Sequence, residues 1–198
     1  MSLILASQSP RRQELLSQLG YTFTCQPADI DESVNVDETP EQYVVRLAIE
    51  KARHIANTLA SSQRDNVAVL GSDTTVVKNK NILGKPESLA HCQEMLSMLS
   101  GSIHQVLTAI AVVKGDVVQS LLIKTDVSFK VLSKQEIESY WHTGEPQDKA
   151  GSYGIQGIGG QFIKEIKGSY SAVVGLPLYE TTLLLGRVGL ASPLSQGE

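Results

Sequence analysis

Val67-Ala-Val-Leu-Gly-Ser-Asp-Thr-Thr-Val-Val77 is the stretch on which the fold turns. Valine, leucine and threonine fill most of it, so it reads as a long buried strand interrupted at Gly71, Ser72 and Asp73. An unpaired carboxylate inside such a strand costs several kcal/mol. Asp73 therefore needs a cation, a set of hydrogen-bond donors, or an opening onto a cleft. In the last case it is a candidate general base or metal ligand. A structural acid satisfied by turn N–H groups is the alternative, and the room left by Gly71 and Ser72 favours the first reading.

Working outward, Leu3–Ala6 reads as a short strand, with Ser9 as N-cap and Pro10 opening a helix from Arg11 to about Leu19 that Gly20 ends. Tyr21–Gln26 reads as a second strand, followed by the acidic loop Asp29-Ile-Asp-Glu32. Thr39-Pro-Glu-Gln42 is a capping-box start. The helix behind it carries Val44, Leu47, Ala48, Ala52 and Ile55 on one face. C-terminal to the central strand come a turn at Asn79–Asn81 and a helix from Ser88 to Leu99. A hairpin then turns at Lys114-Gly-Asp116. Ser133 and Glu136 open a helix that Gly144 closes. Phe162–Ile166 and Ala172–Val174 read as short strands, Pro177 precedes a last helix, and residues from Ala191 on read as a flexible tail. Hairpins alternating with helices predict an α/β chain with a mixed sheet, a single domain over residues 1–190.

Several segments outside the strand carry chemistry. Ser7-Gln-Ser-Pro-Arg-Arg12 sits where a strand hands over to a helix, so helix N–H groups, the Ser7 and Ser9 hydroxyls and two guanidiniums could meet a phosphate. A capped helix with two solvated arginines fits the same residues. Lys51 falls on the apolar face of its helix, where it must snorkel, pair with an acid or meet a ligand. Gly84-Lys-Pro86 sets a lysine in a rigid turn. Gly151–Gly160 packs five glycines into ten residues, a special backbone, and Gln156 within it could read the edge of a base. It is neither a GxxxxGK[ST] loop nor a GxGxxG fingerprint. The four histidines have no ligand spacing and read as surface or structural.

Composition narrows the partners. The 198 residues are 41% hydrophobic and 19% charged, with net charge -4. An acidic chain without a basic aromatic strand is a poor nucleic-acid binder. A phosphate ligand would need locally concentrated cations. Cys25 and Cys92 read as reduced thiols. The N-terminal apolar run is too short for a signal-peptide core and no stretch is long enough to span a bilayer, so the expected compartment is the cytoplasm and no membrane partner is expected.

Taken in order, Ser7-x-Ser-Pro-Arg-Arg, Tyr43-Val-Val-Arg-Leu-Ala-x-x-Lys-Ala, Gly71-Ser-Asp-Thr, Gly84-Lys-Pro, Ser100-Gly-x-x-His-x-Val-x-Thr-Ala, Asp148-Lys-Ala-Gly-Ser-Tyr-Gly-Ile-Gln-Gly, Gly168-Ser-Tyr and Val173-Val-Gly-Leu-Pro-Leu resemble the Maf family of nucleoside triphosphate pyrophosphatases from about Leu3 to Leu185. The resemblance implies a two-lobed, ITPase-like α/β fold with a central mixed sheet, flanking helices and an interlobe cleft. It also implies a divalent metal, Mg²⁺ or alternatively Mn²⁺, and a homodimer. It puts Asp73 at the proton-acceptor position, Glu32 and Asp73 at the metal, and Arg11, Thr74 and Gln156 at positions that set substrate choice. Ser7, Ser9, Arg12, Lys51, Lys85 and Lys149 match polar substrate-binding positions. Gly154-Ile-Gln-Gly157 looks like the branch acting on dTTP and UTP, with modified pyrimidine nucleotides also possible substrates. Two other functions are compatible with the resemblance: a pyrophosphatase for non-canonical purine nucleotides, and a non-catalytic nucleotide sensor regulating septum formation.

Overall fold

The computed structural model describes residues 1–195. Its strands are β1 (Ser2–Leu5), β2 (Thr24–Cys25), β3 (Val67–Lys78), β4 (Asn81–Leu83), β5 (Ile103–Lys114), β6 (Val117–Phe129) and β7 (Ile163–Lys167). Its helices are α1 (Pro10–Gln18), α2 (Pro40–Thr58), α3 (Ser61–Arg64), α4 (Leu89–Leu99), α5 (Lys134–His142), α6 (Tyr170–Val174) and α7 (Leu178–Arg187). The strands form one seven-stranded sheet in the order β2-β1-β3-β5-β6-β7, with β4 paired to β3. β1 is parallel to β2 and β3, whereas β4 runs antiparallel to β3 and β7 to β6, so the sheet is mixed as expected. Among the described residues, no helix is long and apolar enough to cross a membrane.

Local signals account for most boundaries. The Thr39 and Ser133 capping boxes both form, each with its partner at Gln42 or Glu136. Asn79 and Lys80 take positive φ to make the tight β3–β4 turn. Three expectations fail, and a fourth holds in position only. β3 is continuous through Gly71–Asp73, because buried polar side chains there find partners. Of Tyr21–Gln26 only Thr24–Cys25 is strand. Residues 172–174 are helical, not extended. Ser169 starts that helix, its hydroxyl accepting from the Ala172 N–H and its carbonyl from Val173, and this local cap overrides the β preference of two valines. Ser9 stands at the N-cap of α1 in extended conformation, yet its side chain makes no capping bond; its N–H instead donates to Ser7 Oγ at 3.1 Å. In the tail, Pro193–Ser195 forms a 3₁₀ turn, and 196–198 lie outside the described residues.

Two compact units divide the chain. One comprises Met1–Asp73, Thr108–Ile123 and the residues from Gly175 on. Its core joins Ile4 and Ala6 of the first strand region to Ala52, Ile55 and Ala56 of α2 and Val69 and Val113. The other comprises Thr74–Leu107 and Lys124–Val174. Its core gathers Met95, Leu96 and Leu99 of α4 with Ile137 and Tyr140 of α5 around Phe129, Tyr153 and Phe162.

His104 belongs to this second core. Its Nε2 lies 2.8 Å from the Tyr153 hydroxyl, and its ring packs edge-on against Phe129 at 4.8 Å. Burial, and secondarily Lys78, depress its pKa from 6.5 to about 4, against a weaker pull from Asp126. The unfolded chain therefore takes up a proton that the fold refuses between those values, and stability must fall as pH drops through that window. The predicted loss is roughly 3 kcal/mol. Denaturant titrations across that window should show the slope, and His104→Gln should flatten it; an unchanged slope would exclude His104 as its source.

Candidate functional site

The end of β1, the middle of β3 and one helix build the site in the first unit. β1 and β3 run parallel with Leu5 opposite Leu70, and the Ala6 N–H donates to the Leu70 carbonyl. Ser7–Arg12 therefore leaves β1 beside Gly71-Ser72-Asp73. The carboxyl ends of parallel strands are where open α/β sheets place ligands. Gly71 brings α2 in: a side chain there would run into the Ala48 carbonyl oxygen and the Ala52 amide nitrogen. With helix backbone against strand backbone, Lys51 lies over Asp73.

The resulting cluster is dense in charge. Lys51 Nζ donates to Asp73 Oδ1 at 2.7 Å and sits 2.8 Å from Glu32 Oε1. Asp73 is 7% exposed and Lys51 8%, so the pair is held out of water; the Glu32 side chain is about half exposed. Burial pushes the Asp73 carboxyl above its ordinary range, Lys51 and Arg12 pull it back, and Glu32 adds to the rise. Arg12 Nε donates to the Gly175 carbonyl at 3.0 Å and Nη1 approaches Ser7 Oγ at 3.4 Å. Burial lowers its pKa, with Asp73 opposing. Ser72 Oγ donates to the same Gly175 carbonyl at 2.9 Å, so one backbone oxygen aligns Arg12 with the strand carrying Asp73.

Sequence reasoning missed the residues that hold Glu32. Arg46 meets both oxygens of Glu38, at 2.6 and 2.8 Å, then Glu50 at 3.0 Å and the Ser33 carbonyl at 2.9 Å. Tyr43 Oη donates to the Glu32 carbonyl at 3.0 Å. Burial first, then Asp73 and Glu32, push the Tyr43 phenol up to about 12, so it stays protonated and keeps donating. These bonds tie the acidic loop to α2 and deliver Glu32 to Lys51. Two signals were available: Tyr43 and Arg46 both stand in the Tyr43-Val-Val-Arg motif, to which no role was attached, and Arg46 and Glu50 are spaced by four.

The expected metal can be tested against this donor set. Asp73 and Glu32 each use one oxygen on Lys51, and a carboxylate has two. Among the described residues no group of three or more His, Cys, Asp or Glu could form a protein-only cage. Two hard carboxylates fit Mg²⁺ of the kind that keeps waters and is shared with substrate phosphates.

Of the expected site residues, Ser7, Arg12, Glu32, Lys51 and Asp73 come together. Ser9 and Arg11 lie at the start of the same helix, partly exposed. Thr74, Lys85, Lys149 and Gln156 belong to the second unit. There the Gly151 N–H donates to the Gly84 carbonyl, joining the Lys85 turn to the glycine segment. Lys85 and Gln156 are exposed. Lys149 is engaged locally, donating to the Glu145 carbonyl at 3.1 Å and pairing with Asp148 at 2.6 Å. The close approaches that the glycines allow are to the protein itself: side chains at Gly151, Gly157 and Gly159 would strike Val76, Glu145 and the Tyr140 hydroxyl.

A family model described as Maf-like protein matches residues 2–188. A dTTP/UTP pyrophosphatase of Colwellia psychrerythraea is 60% identical, over 97% of this chain and 91% of that one. Proteins of the same description from Pseudoalteromonas atlantica and Vibrio parahaemolyticus are 58% and 54% identical, over 96% and 93% of this chain and 98% and 96% of theirs. Among solved structures, the Ham1 protein of Staphylococcus aureus matches with a TM-score of 0.40 at 16% identity, over 67% of this chain and 72% of that one, too loosely to carry an argument.

Proposed function

The chain belongs to the Maf family, and from that premise we propose that it hydrolyses dTTP and UTP to the nucleoside monophosphate and diphosphate. The single observation that carries the reading is the buried Lys51–Asp73 pair beside Arg12, a carboxylate of raised basicity set among cations within an acidic protein. A triphosphate needs cations to offset its charge and a base to activate water, and the cluster supplies both.

In this reading Asp73 accepts a proton from water as the water oxygen bonds to the α-phosphorus. The bond from that phosphorus to the α,β-bridging oxygen breaks, and diphosphate leaves with the electron pair. Lys51 and Arg12 meet charge that grows on the phosphate oxygens, and Ser7 and the start of α1 add donors. Glu32 and Asp73 would hold Mg²⁺, which when bound with the nucleotide supplies further charge neutralisation. Lys85 contributes a cation, and Gln156 pairs with the pyrimidine base through its amide donor and acceptor. The description of the relatives as dTTP/UTP pyrophosphatases supports the dTTP and UTP preference.

Product analysis over a nucleotide panel with Mg²⁺ tests this. The expected result is diphosphate release, fastest with dTTP and UTP and negligible without metal. Orthophosphate release, preference for purine nucleotides, or binding without turnover would each contradict it.

A further inference from the structure

Outside the Asp73 cluster, the Glu145 carboxylate has hydrogen-bond donors on both oxygens, two of them backbone N–H groups of the glycine segment. It enters the glycine segment at the start of a 3₁₀ turn, Glu145–Asp148. Oε2 accepts the Ile158 N–H at 2.7 Å, and Oε1 accepts the Gly159 N–H at 3.0 Å and the Tyr140 hydroxyl at 2.8 Å. The Tyr140 oxygen in turn accepts the Gly154 N–H at 3.2 Å. Two side chains thus gather three backbone N–H groups that span residues 154 to 159. Burial works against the Glu145 charge, but these donors hold its carboxyl below the ordinary range, so it is an anion at neutral pH. Hydrogen bonds to an ion are the strong kind. Gln156 sits inside the span, exposed, between Gly154 and Ile158, whose N–H groups are held.

We propose that Glu145, together with Tyr140, is a positioning residue for nucleobase recognition: its carboxylate at Ile158 and Gly159, and the Tyr140 hydroxyl it holds at Gly154, fix the backbone of this span and so present Gln156 in one orientation. The inference rests on the reading of Gln156 as the base-contacting residue. A glutamine side chain on an unpinned glycine-rich loop would sample many orientations, and each must be lost on binding. The carboxylate removes that cost before substrate arrives. An amide at position 145 could not do this, because one of its heads is a donor and would face an N–H.

The test uses Glu145→Gln and Tyr140→Phe in the full chain, with Gln156→Ala as reference, assayed with dTTP, UTP and purine triphosphates. Amide hydrogen exchange is followed in parallel. In Glu145→Gln, KM for dTTP and UTP should rise about tenfold or more while kcat at saturation stays within about threefold. The preference over purine nucleotides should shrink as it does in Gln156→Ala. The Ile158 and Gly159 amides should exchange at least about tenfold faster, with β3 amides unchanged. Tyr140→Phe should move the same quantities by less, and it decides the matter if Glu145→Gln does not fold. Loosened amides with unchanged nucleotide preference would overturn the inference, as would kcat and KM changing alike for every nucleotide. If Gln156→Ala shifts preference and the Glu145 and Tyr140 variants do not, only this inference falls. If Gln156→Ala leaves preference unchanged, the base-contact reading itself is wrong and the inference falls with it.

Discussion

Asp73→Asn should lower kcat by about 10³-fold and leave the fold intact. Asparagine has nearly the shape of aspartate and keeps an oxygen for the Lys51 ammonium to donate to at the same place. It cannot accept a proton from water. Burial raises the Asp73 carboxyl above its ordinary range, ahead of the lowering by Lys51 and Arg12, so the acid limb of kcat/KM in the parent should lie above the ordinary aspartate value near 3.8. That limb should vanish from the residual rate of the variant. Circular dichroism and denaturant midpoints report the fold, and steady-state kinetics with dTTP report the loss. A variant with parental kcat would remove Asp73 from the chemistry.

Lys51→Met should damage both stability and activity. The replacement fills similar volume without charge, leaving Asp73 buried with Glu32 beside it and the ammonium gone. Breaking a buried pair on one side costs about 3–5 kcal/mol. The cost has a definite pH dependence. Without Lys51 the Asp73 carboxyl rises further, so the folded state binds the proton more tightly than the unfolded chain. Stability is then greatest below the unfolded value and declines as pH rises through the folded one. The variant should therefore regain stability as pH falls towards that of a protonated Asp73. Its kcat/KM at neutral pH should drop by about 10²-fold or more, with the acid limb displaced upward. Urea titrations at neutral and mildly acidic pH, alongside pH–rate profiles, check both. Parental stability and rate would mean that Lys51 only snorkels along the helix.

The two residues at the centre of these predictions were legible in the sequence for separate reasons. Lys51 broke a 3.6-residue apolar period, and Asp73 broke a β-branched run. Both anomalies are local, and local patterns survive in a bare sequence. Their meeting was not legible in those local patterns and was expected only through the family resemblance, because it depends on Gly71 letting α2 and β3 touch and on β1 lying parallel to β3. The Gly175 carbonyl that Arg12 and Ser72 share was beyond reach for the same reason: it is a backbone atom distant in the chain, and no side-chain pattern marks it. The Arg46–Glu38 clamp joins a helix residue to an acid eight positions earlier, ahead of the helix cap, and no helical spacing marks it. Ala172–Val174 misled because two valines outweighed a serine cap in a propensity reading. The glycine segment was legible as a special backbone, but what fills the space its missing side chains leave is Glu145 and Tyr140.

The most direct test of the claim that water, activated at Asp73, attacks the α-phosphorus is hydrolysis of dTTP in water carrying the heavy oxygen isotope, with both products weighed by mass spectrometry. The account predicts one heavy oxygen in the monophosphate and none in the diphosphate. Heavy oxygen in the diphosphate, or in released orthophosphate, would contradict it.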